Sequence, residues 1–229
     1  MSSKSPLDSK LTASYATFLA ERPEDADEDV HMLSAVVDHV IEKCSKPDDL
    51  VLDLFAGFGT TLARATALER RAVGVELLPE RVELIRSRVP DALIIEGDAR
   101  DTSQIIRDLE DCPPESQFRL ILTSPPYMTV NNHEADPLTA YEENDGDYSR
   151  YLAGLSIVAA QCAALVERGG YVVWNVADIY HMEKTTHLIR DCSRVLKQYL
   201  TPVGITEIFW DKYPHDLVRD ALLVFQRTA

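Results

Sequence analysis

The sequence predicts an α/β protein built on a doubly wound, mainly parallel sheet. Three observations carry the expectation. From residue 31 onward, short strand-like runs alternate with segments of helical period. The runs are apolar almost throughout, as strands covered on both faces must be. A glycine turn, "AGFG" at 56–59, joins the first of these runs to the helical segment that follows it.

Taken in order, "HMLSAVVDHVIEKCSK" (31–46) places apolar residues at helical spacing and ends on a Lys-Pro stop, which predicts an amphipathic helix. A short strand, "LVLDLF", follows, and beyond the glycine turn comes the helix "TTLARATALERR". Strand "AVGVE", helix "LPERVELIRSRV" and strand "ALIIEGD" continue the alternation, then a helix near 101–111 and the strand "FRLILT". A long helix from about Tyr148 to Val166 leads through "RGG" into the strand "YVVWNV", with a further helix near 184–199. Two last apolar runs, "GITEIFW" and "ALLVFQR", suit an antiparallel pair at the sheet edge. The expected organisation is a polar, acidic extension over 1–30 and a single domain over 31–229.

Composition narrows the class. With 229 residues and 45% hydrophobic content the chain can bury a full core. No run approaches the ~20 apolar residues of a membrane span, and "MSSKSPLDSK" lacks the apolar centre of a secretion signal, so a cytoplasmic protein without a membrane partner is expected. Cys44, Cys112, Cys162 and Cys192 are scattered singly, without metal-ligand or disulfide spacing, and no metal is implied. A net charge of -15 excludes a protein that holds nucleic acid by electrostatics alone, because such binding relies on Lys and Arg displacing counterions. The acid gathers in "ERPEDADED" (21–29) and "YEENDGD" (141–147), both of which read as solvated loops. Residues 128–147 form the only long connection without a periodic pattern, a length associated with function or mobility.

Two motifs carry chemistry. In "VLDLFAGFGTT" (51–61), Gly57 and Gly59 allow a tight turn and close approach of a ligand to the backbone. Leu62 occupies the third glycine position of the phosphate-binding G-x-G-x-x-G, and no Gly-Lys-Ser/Thr follows. Asp53 just before the turn disfavours bound phosphate and favours a cationic or hydroxyl-bearing ligand. Glu76 ends the next strand, where nucleotide-binding sheets place a carboxylate for ribose hydroxyls, and Asp98 ends the third. Three strand-end carboxylates beside a glycine turn point to a nucleoside cofactor without phosphates. The second motif, "TSPPY" (123–127), follows the strand "FRLILT". Two prolines stop strand pairing and hold the next residues in a rigid extended shelf.

Together "DLFAGFGTT" and "SPPY" resemble the motifs of S-adenosylmethionine-dependent DNA amino-methyltransferases, which act on cytosine N4 or adenine N6, over about residues 31–178. The resemblance implies a Rossmann-like, mainly parallel seven-stranded sheet with an antiparallel edge hairpin, and S-adenosylmethionine as cofactor. It implies that Asp53, Gly57 and Gly59 line the methionine part, with Ala56, Thr60 and Thr61 among the contacts. Glu76 would bind the ribose, Asp98 would lie near the adenine with Ala99 beside it, and the segment of His31 and Leu33 would close over the methionine end.

The same likeness gives the shelf a role: the Ser124 side chain and the Pro125 carbonyl accept from the target amine, Pro126 stiffens the shelf, and Tyr127 stacks on an extruded base. Ser at the first motif position favours cytosine N4 slightly over adenine N6. The spare sequence for target recognition is small and acidic, so the expected partner is DNA, with RNA open, and binding would be helped by a homodimer or a basic partner subunit. A methyltransferase of a protein amide or small amine accounts for the acidity more simply, and a non-catalytic partner subunit is the remaining alternative. Trp174 and Asn175, at the end of "YVVWNV", fall on the same edge as the shelf, where a core Trp is the competing reading, and His215 is assigned no chemistry.

Overall fold

A computed structural model describes residues 4–23, 31–108, 118–129 and 148–228. The chain runs β1 (Lys10–Ala13), α1 (Tyr15–Glu21), α2 (Ser34–Cys44), β2 (Leu50–Asp53), α3 (Thr60–Ala67), β3 (Arg71–Glu76), α4 (Pro79–Arg88) and β4 (Leu93–Glu96). A 3₁₀ turn (Ala99–Asp101) then leads to α5 (Thr102–Asp108), β5 (Phe118–Thr123), α6 (Tyr148–Leu165) and β6 (Val166–His181). The last elements are β7 (Lys184–Thr186), α7 (Leu188–Leu196), β8 (Thr201–Trp210) and β9 (Leu217–Gln226). The acidic runs lie outside the described residues at 24–30 and 141–147, as do most of the 128–147 connection, the last residues of the helix expected to 111, and Cys112.

Among the described residues, all nine strands join one sheet in the order β1-β8-β9-β6-β5-β2-β3-β4, with β7 paired to β6. The centre is parallel: β2 pairs with β3 and with β5, β3 with β4, and β5 with β6. Alternate residues of β5 separate two cores. Ile121 packs with α6 residues such as Leu155 and Val158 and with Leu188 and Val195 of α7. Leu120 and Leu122 face the other side, against Val36, Val37, Val40 and Ile41 of α2 and Leu62 of α3. Each such buried side chain contributes about 1.5–3 kcal/mol relative to exposure, so both helical layers are held by the period-2 pattern of the strands.

The ends of the sheet depart from the sequence expectation. The last two strands are antiparallel to each other as expected, but β9 is interior, between β8 and β6, and the outer edge of β8 is covered by β1 in parallel register. The sheet therefore has the seven expected strands plus β1 and β7. β1 belongs to the stretch expected as a polar extension. Its pattern is short and mostly exposed, so burial could not betray it; only Ala13 is buried, and pairing to β8 holds the rest. Phe18 of α1 is buried too, and the Glu21 carboxylate accepts the Ser34 N–H at 2.7 Å, capping α2. The helix expected over 184–199 is shorter, because Lys184–Thr186 turn back on β6 through Met182 and Glu183, both at positive φ.

Candidate functional site

The parallel register gathers the signalled residues along one sheet edge. Leu52 of β2 lies beside Ile121 of β5, and Thr123 of β5 beside Trp174 of β6. Asp53, Glu76 and Thr123 thus lie at the carboxyl ends of three adjoining strands, with Asn175 beside them in β6, which runs on to His181, and Asp98 just beyond the end of β4. This is the edge where open α/β sheets bind ligands.

Asp53 is 2% exposed. Its Oδ1 accepts the Thr123 hydroxyl at 2.6 Å and the Phe55 N–H at 3.1 Å. Burial pushes its carboxyl up to about 6, against the pull of Thr123, Thr61 and the Phe55 N–H, with the nearby Glu76 charge adding to the rise. Glu76, also buried, receives the Gly57 N–H at 2.7 Å and the Leu78 N–H at 3.0 Å, one on each oxygen. Burial raises its pKa, while those two N–H groups and the Arg81 charge oppose the rise. A carboxylate has about four acceptor positions, so each Glu76 oxygen keeps capacity for a ligand hydroxyl.

The glycine turn divides its two glycines between different tasks. Gly57 has φ +54, and a Cβ there would meet nothing closer than the Phe55 carbonyl at 3.9 Å among the described residues, so its side is open. Gly59, at φ +82 on the N-cap of α3, has its missing side chain toward Ile85 of α4, where a Cβ would lie 2.9 Å from Cγ1. Its absent side chain serves packing of α3 on α4. Ala56 is buried, Thr60 half-buried. Thr61 is 1% exposed, and its hydroxyl faces the Asp53 carboxyl, beyond the reach of a well-formed hydrogen bond.

Asp98 is turned to its own neighbour. Its carboxylate caps the 3₁₀ turn through the Arg100 N–H at 2.8 Å and grips the Arg100 guanidinium, with the shortest contact 2.6 Å. Burial opposes its charge, but these Arg100 contacts outweigh it and hold the carboxyl below its usual range. Ala99 is buried in the turn. Leu33 is buried at the N-cap of α2, and the His31 ring stacks on Phe18, 4.4 Å apart and parallel. The N-terminal segment thus backs the segment expected to close over a cofactor.

On the shelf, Ser124 donates its hydroxyl to the Asn175 carbonyl at 3.2 Å, and the Tyr127 hydroxyl points at the same carbonyl at 3.4 Å. The two hydroxyls are 3.5 Å apart. Pro125 is buried, and the Pro126 carbonyl accepts from Tyr151 of α6 at 2.9 Å, tying the shelf to a helix. The Tyr127 ring packs on the core while burial, and next the Asp220 charge, raise its hydroxyl pKa well above the ordinary value. Trp174 is fully buried, a core residue. Asn175 is held by its side chain, which donates to Asp220 at 2.7 Å; Asp220 also accepts from Trp210 at 2.8 Å. Burial pushes the Asp220 carboxyl up to about 6, against those two donors.

Sequence reasoning missed Thr123 and Asp220. The first was visible as the residue before the shelf, once β2 and β5 were known to be neighbours. The second lies 45 residues beyond its partner Asn175 and has no local signal.

The arrangement offers two buried carboxyls and an open glycine face, which suits a cationic ligand with ribose-like hydroxyls. Known proteins agree on the fold. Geranyl diphosphate methyltransferase, solved with SAM, superposes with a TM-score of 0.57 at 14% identity, covering 93% of this chain and 95% of that one. The N-methyltransferase NodS from Bradyrhizobium japonicum WM9 gives 0.56 at 12% identity, over 86% and 94%. Fibrillarin from Aeropyrum pernix, with natively bound S-adenosyl-L-methionine, gives 0.54 at 17%, over 84% and 72%. No curated protein sequence matches. Residues 33–87, which span α2, the glycine turn, Glu76 and most of α4, match the family described as DNA methylase, N6_N4_Mtase. Over this segment the chain is thus similar to the DNA methylase family, and its α/β fold is like that of these methyltransferases.

Proposed function

We propose that the protein is an S-adenosylmethionine-dependent methyltransferase acting on the exocyclic amino group of a nucleic-acid base, DNA above RNA and cytosine N4 above adenine N6. The observation that carries the reading is that the two motifs meet at one edge: the buried Asp53 carboxyl accepts a hydrogen bond from Thr123, the residue before the Ser-Pro-Pro-Tyr shelf. The family match over 33–87 supports the substrate class.

The residues fit the cofactor. Asp53 offers negative charge to its cationic end, Glu76 offers free acceptor positions to its ribose, and Gly57 lets it approach the backbone. When bound, S-adenosylmethionine supplies an electrophilic methyl group. The shelf prepares the other reactant. An exocyclic amine is a weak nucleophile because its lone pair is delocalised into the ring, and acceptors for its N–H bonds favour the pyramidal form that attacks. Ser124 can accept such a bond because its own proton is directed to the Asn175 carbonyl, which leaves its oxygen lone pairs for the amine. Asp220, by holding the Asn175 amide, keeps that carbonyl in place.

The net charge of -15 favours a second reading, a protein amide or small amine as acceptor. One experiment separates the two: methyl-labelled cofactor is incubated with the protein and, in parallel, with DNA, RNA and protein extract. Label in DNA that is lost with Ser124→Ala supports the first reading. Label confined to protein or small amines refutes it, and label in RNA alone changes the substrate.

A further inference from the structure

We infer that Thr123 is a positioning residue: its hydroxyl fastens the Asp53 carboxyl to the strand end that carries Ser124, so the cofactor pocket and the amine-binding shelf move as one piece. Three short contacts meet at this point. The Thr123 hydroxyl donates to Asp53 Oδ1 at 2.6 Å, the Phe55 N–H donates to the Thr123 oxygen at 3.2 Å, and the same N–H reaches Asp53 Oδ1 at 3.1 Å. Thr123 is completely buried. A hydroxyl placed there is costly unless it is bonded, and both its donor and an acceptor position are engaged between β2 and β5. These two strands carry the two halves of the proposed reaction, and Ser124 is the next residue after the clamp.

The geometry has a chemical consequence. In-line transfer requires the reacting atoms to be held within a few tenths of an ångström, and a small misplacement is costly in rate. Side-chain contacts across strands do this better than the backbone ladder alone, because β5 ends at Thr123 and the prolines beyond it donate no N–H. The groups facing the Asp53 carboxyl are Glu76 from β3, the hydroxyl of Thr61 from α3, that of Thr123 from β5 and the Phe55 N–H from its own turn. Thr123 makes the shortest of the hydrogen bonds to it, so removing its hydroxyl makes the negative form of Asp53 harder to reach.

In its functional sense the inference rests on the cofactor reading above, so the test has an arm that needs no cofactor. The carboxyl titration of Asp53 is followed by ¹³C NMR in the wild-type protein and in Thr123→Val, Thr123→Ala and Thr123→Ser. Loss of a hydrogen bond to a charged group should move the titration of the Val and Ala variants about one to two pH units higher. Thr123→Ser, which keeps the hydroxyl, should titrate like wild type; Ala serves where Val does not fold. An Asp53 titration that is the same in all variants overturns the clamp.

The second arm measures S-adenosylmethionine affinity and single-turnover methylation across pH. With the clamp lost, affinity should fall about tenfold at pH 6 and less at pH 8. Methylation at saturating cofactor should also slow at both pH values, with Ser restoring both. Full-rate methylation by Thr123→Val at saturating cofactor would overturn the coupling to the shelf. If the titration moves while the wild-type protein binds no S-adenosylmethionine, the cofactor reading fails and the clamp stands. If the wild-type protein binds it and the titration does not move, the clamp fails and the cofactor reading stands.

Discussion

Replacing each glycine of the turn by alanine should separate ligand contact from packing. Both glycines have positive φ, +54 at Gly57 and +82 at Gly59, and an L-residue held there costs about 1–2 kcal/mol. Gly57→Ala should cost little more than that in stability, because its Cβ meets nothing nearer than 3.9 Å among the described residues. Gly59→Ala adds a Cβ 2.9 Å from the Ile85 side chain, inside normal contact. Ile85 is fully buried and has little room to give, so overpacking adds about 1–3 kcal/mol. The total for Gly59→Ala is about 2–5 kcal/mol, and the midpoint of thermal unfolding should fall by about 2–4 °C per kcal/mol. Binding should rank the two variants the other way. The Gly57 methyl enters the open face of the turn and should weaken S-adenosylmethionine at least tenfold. Gly59→Ala, where it folds, should bind more nearly as wild type. Denaturant unfolding and calorimetry on the same samples decide. Greater destabilisation by Gly57→Ala than by Gly59→Ala, or wild-type affinity in Gly57→Ala, would refute the division of roles.

Three further outcomes are expected. The folded Asp53 carboxyl lies at about 6 against an ordinary 3.8, so its contribution to stability is present below pH 3.8 and lost as pH rises through 6. Asp53→Asn, which cannot ionise, should therefore gain on wild type as pH rises from about 4 to about 7, by up to about 3 kcal/mol in urea unfolding, while losing cofactor affinity; parallel pH curves would contradict this. Ser124→Ala should slow single-turnover methylation about a hundredfold with cofactor affinity unchanged, and wild-type rates would reduce the shelf to a strand terminator. Asp178, buried on β6, accepts the Ile189 N–H at the start of α7 at 3.0 Å, so Asp178→Ala should cost about 1–3 kcal/mol. Hydrogen exchange should show the loss first in α7, and unchanged protection there would remove the capping role.

The local signals were legible because they depend on neighbours in sequence. "FRLILT" is a run of apolar residues closed by two prolines, and the strand occupies Phe118–Thr123. Helix periodicity placed α2, α3 and α4 to within a few residues, since a 3.6-residue stripe needs only a sheet to lie on. The strand ends carrying Asp53 and Glu76 followed from the same alternation, as did the edge on which they meet.

What the sequence alone could not supply depends on which strands become neighbours. Whether β9 lies at the edge or between β6 and β8 is a choice of pairing, and apolar runs of similar strength suit both places. β1 is four residues long and mostly exposed, so only the free edge of β8 makes it a strand. The same limit applies to the site. Thr123 and Asp53 are 70 positions apart, and Ser124 and the Asn175 carbonyl 51. Composition and period contain no term for such pairs. They arise because parallel register sets β2 and β5 side by side, ending together beside the middle of β6, where buried polar groups must find partners in each other.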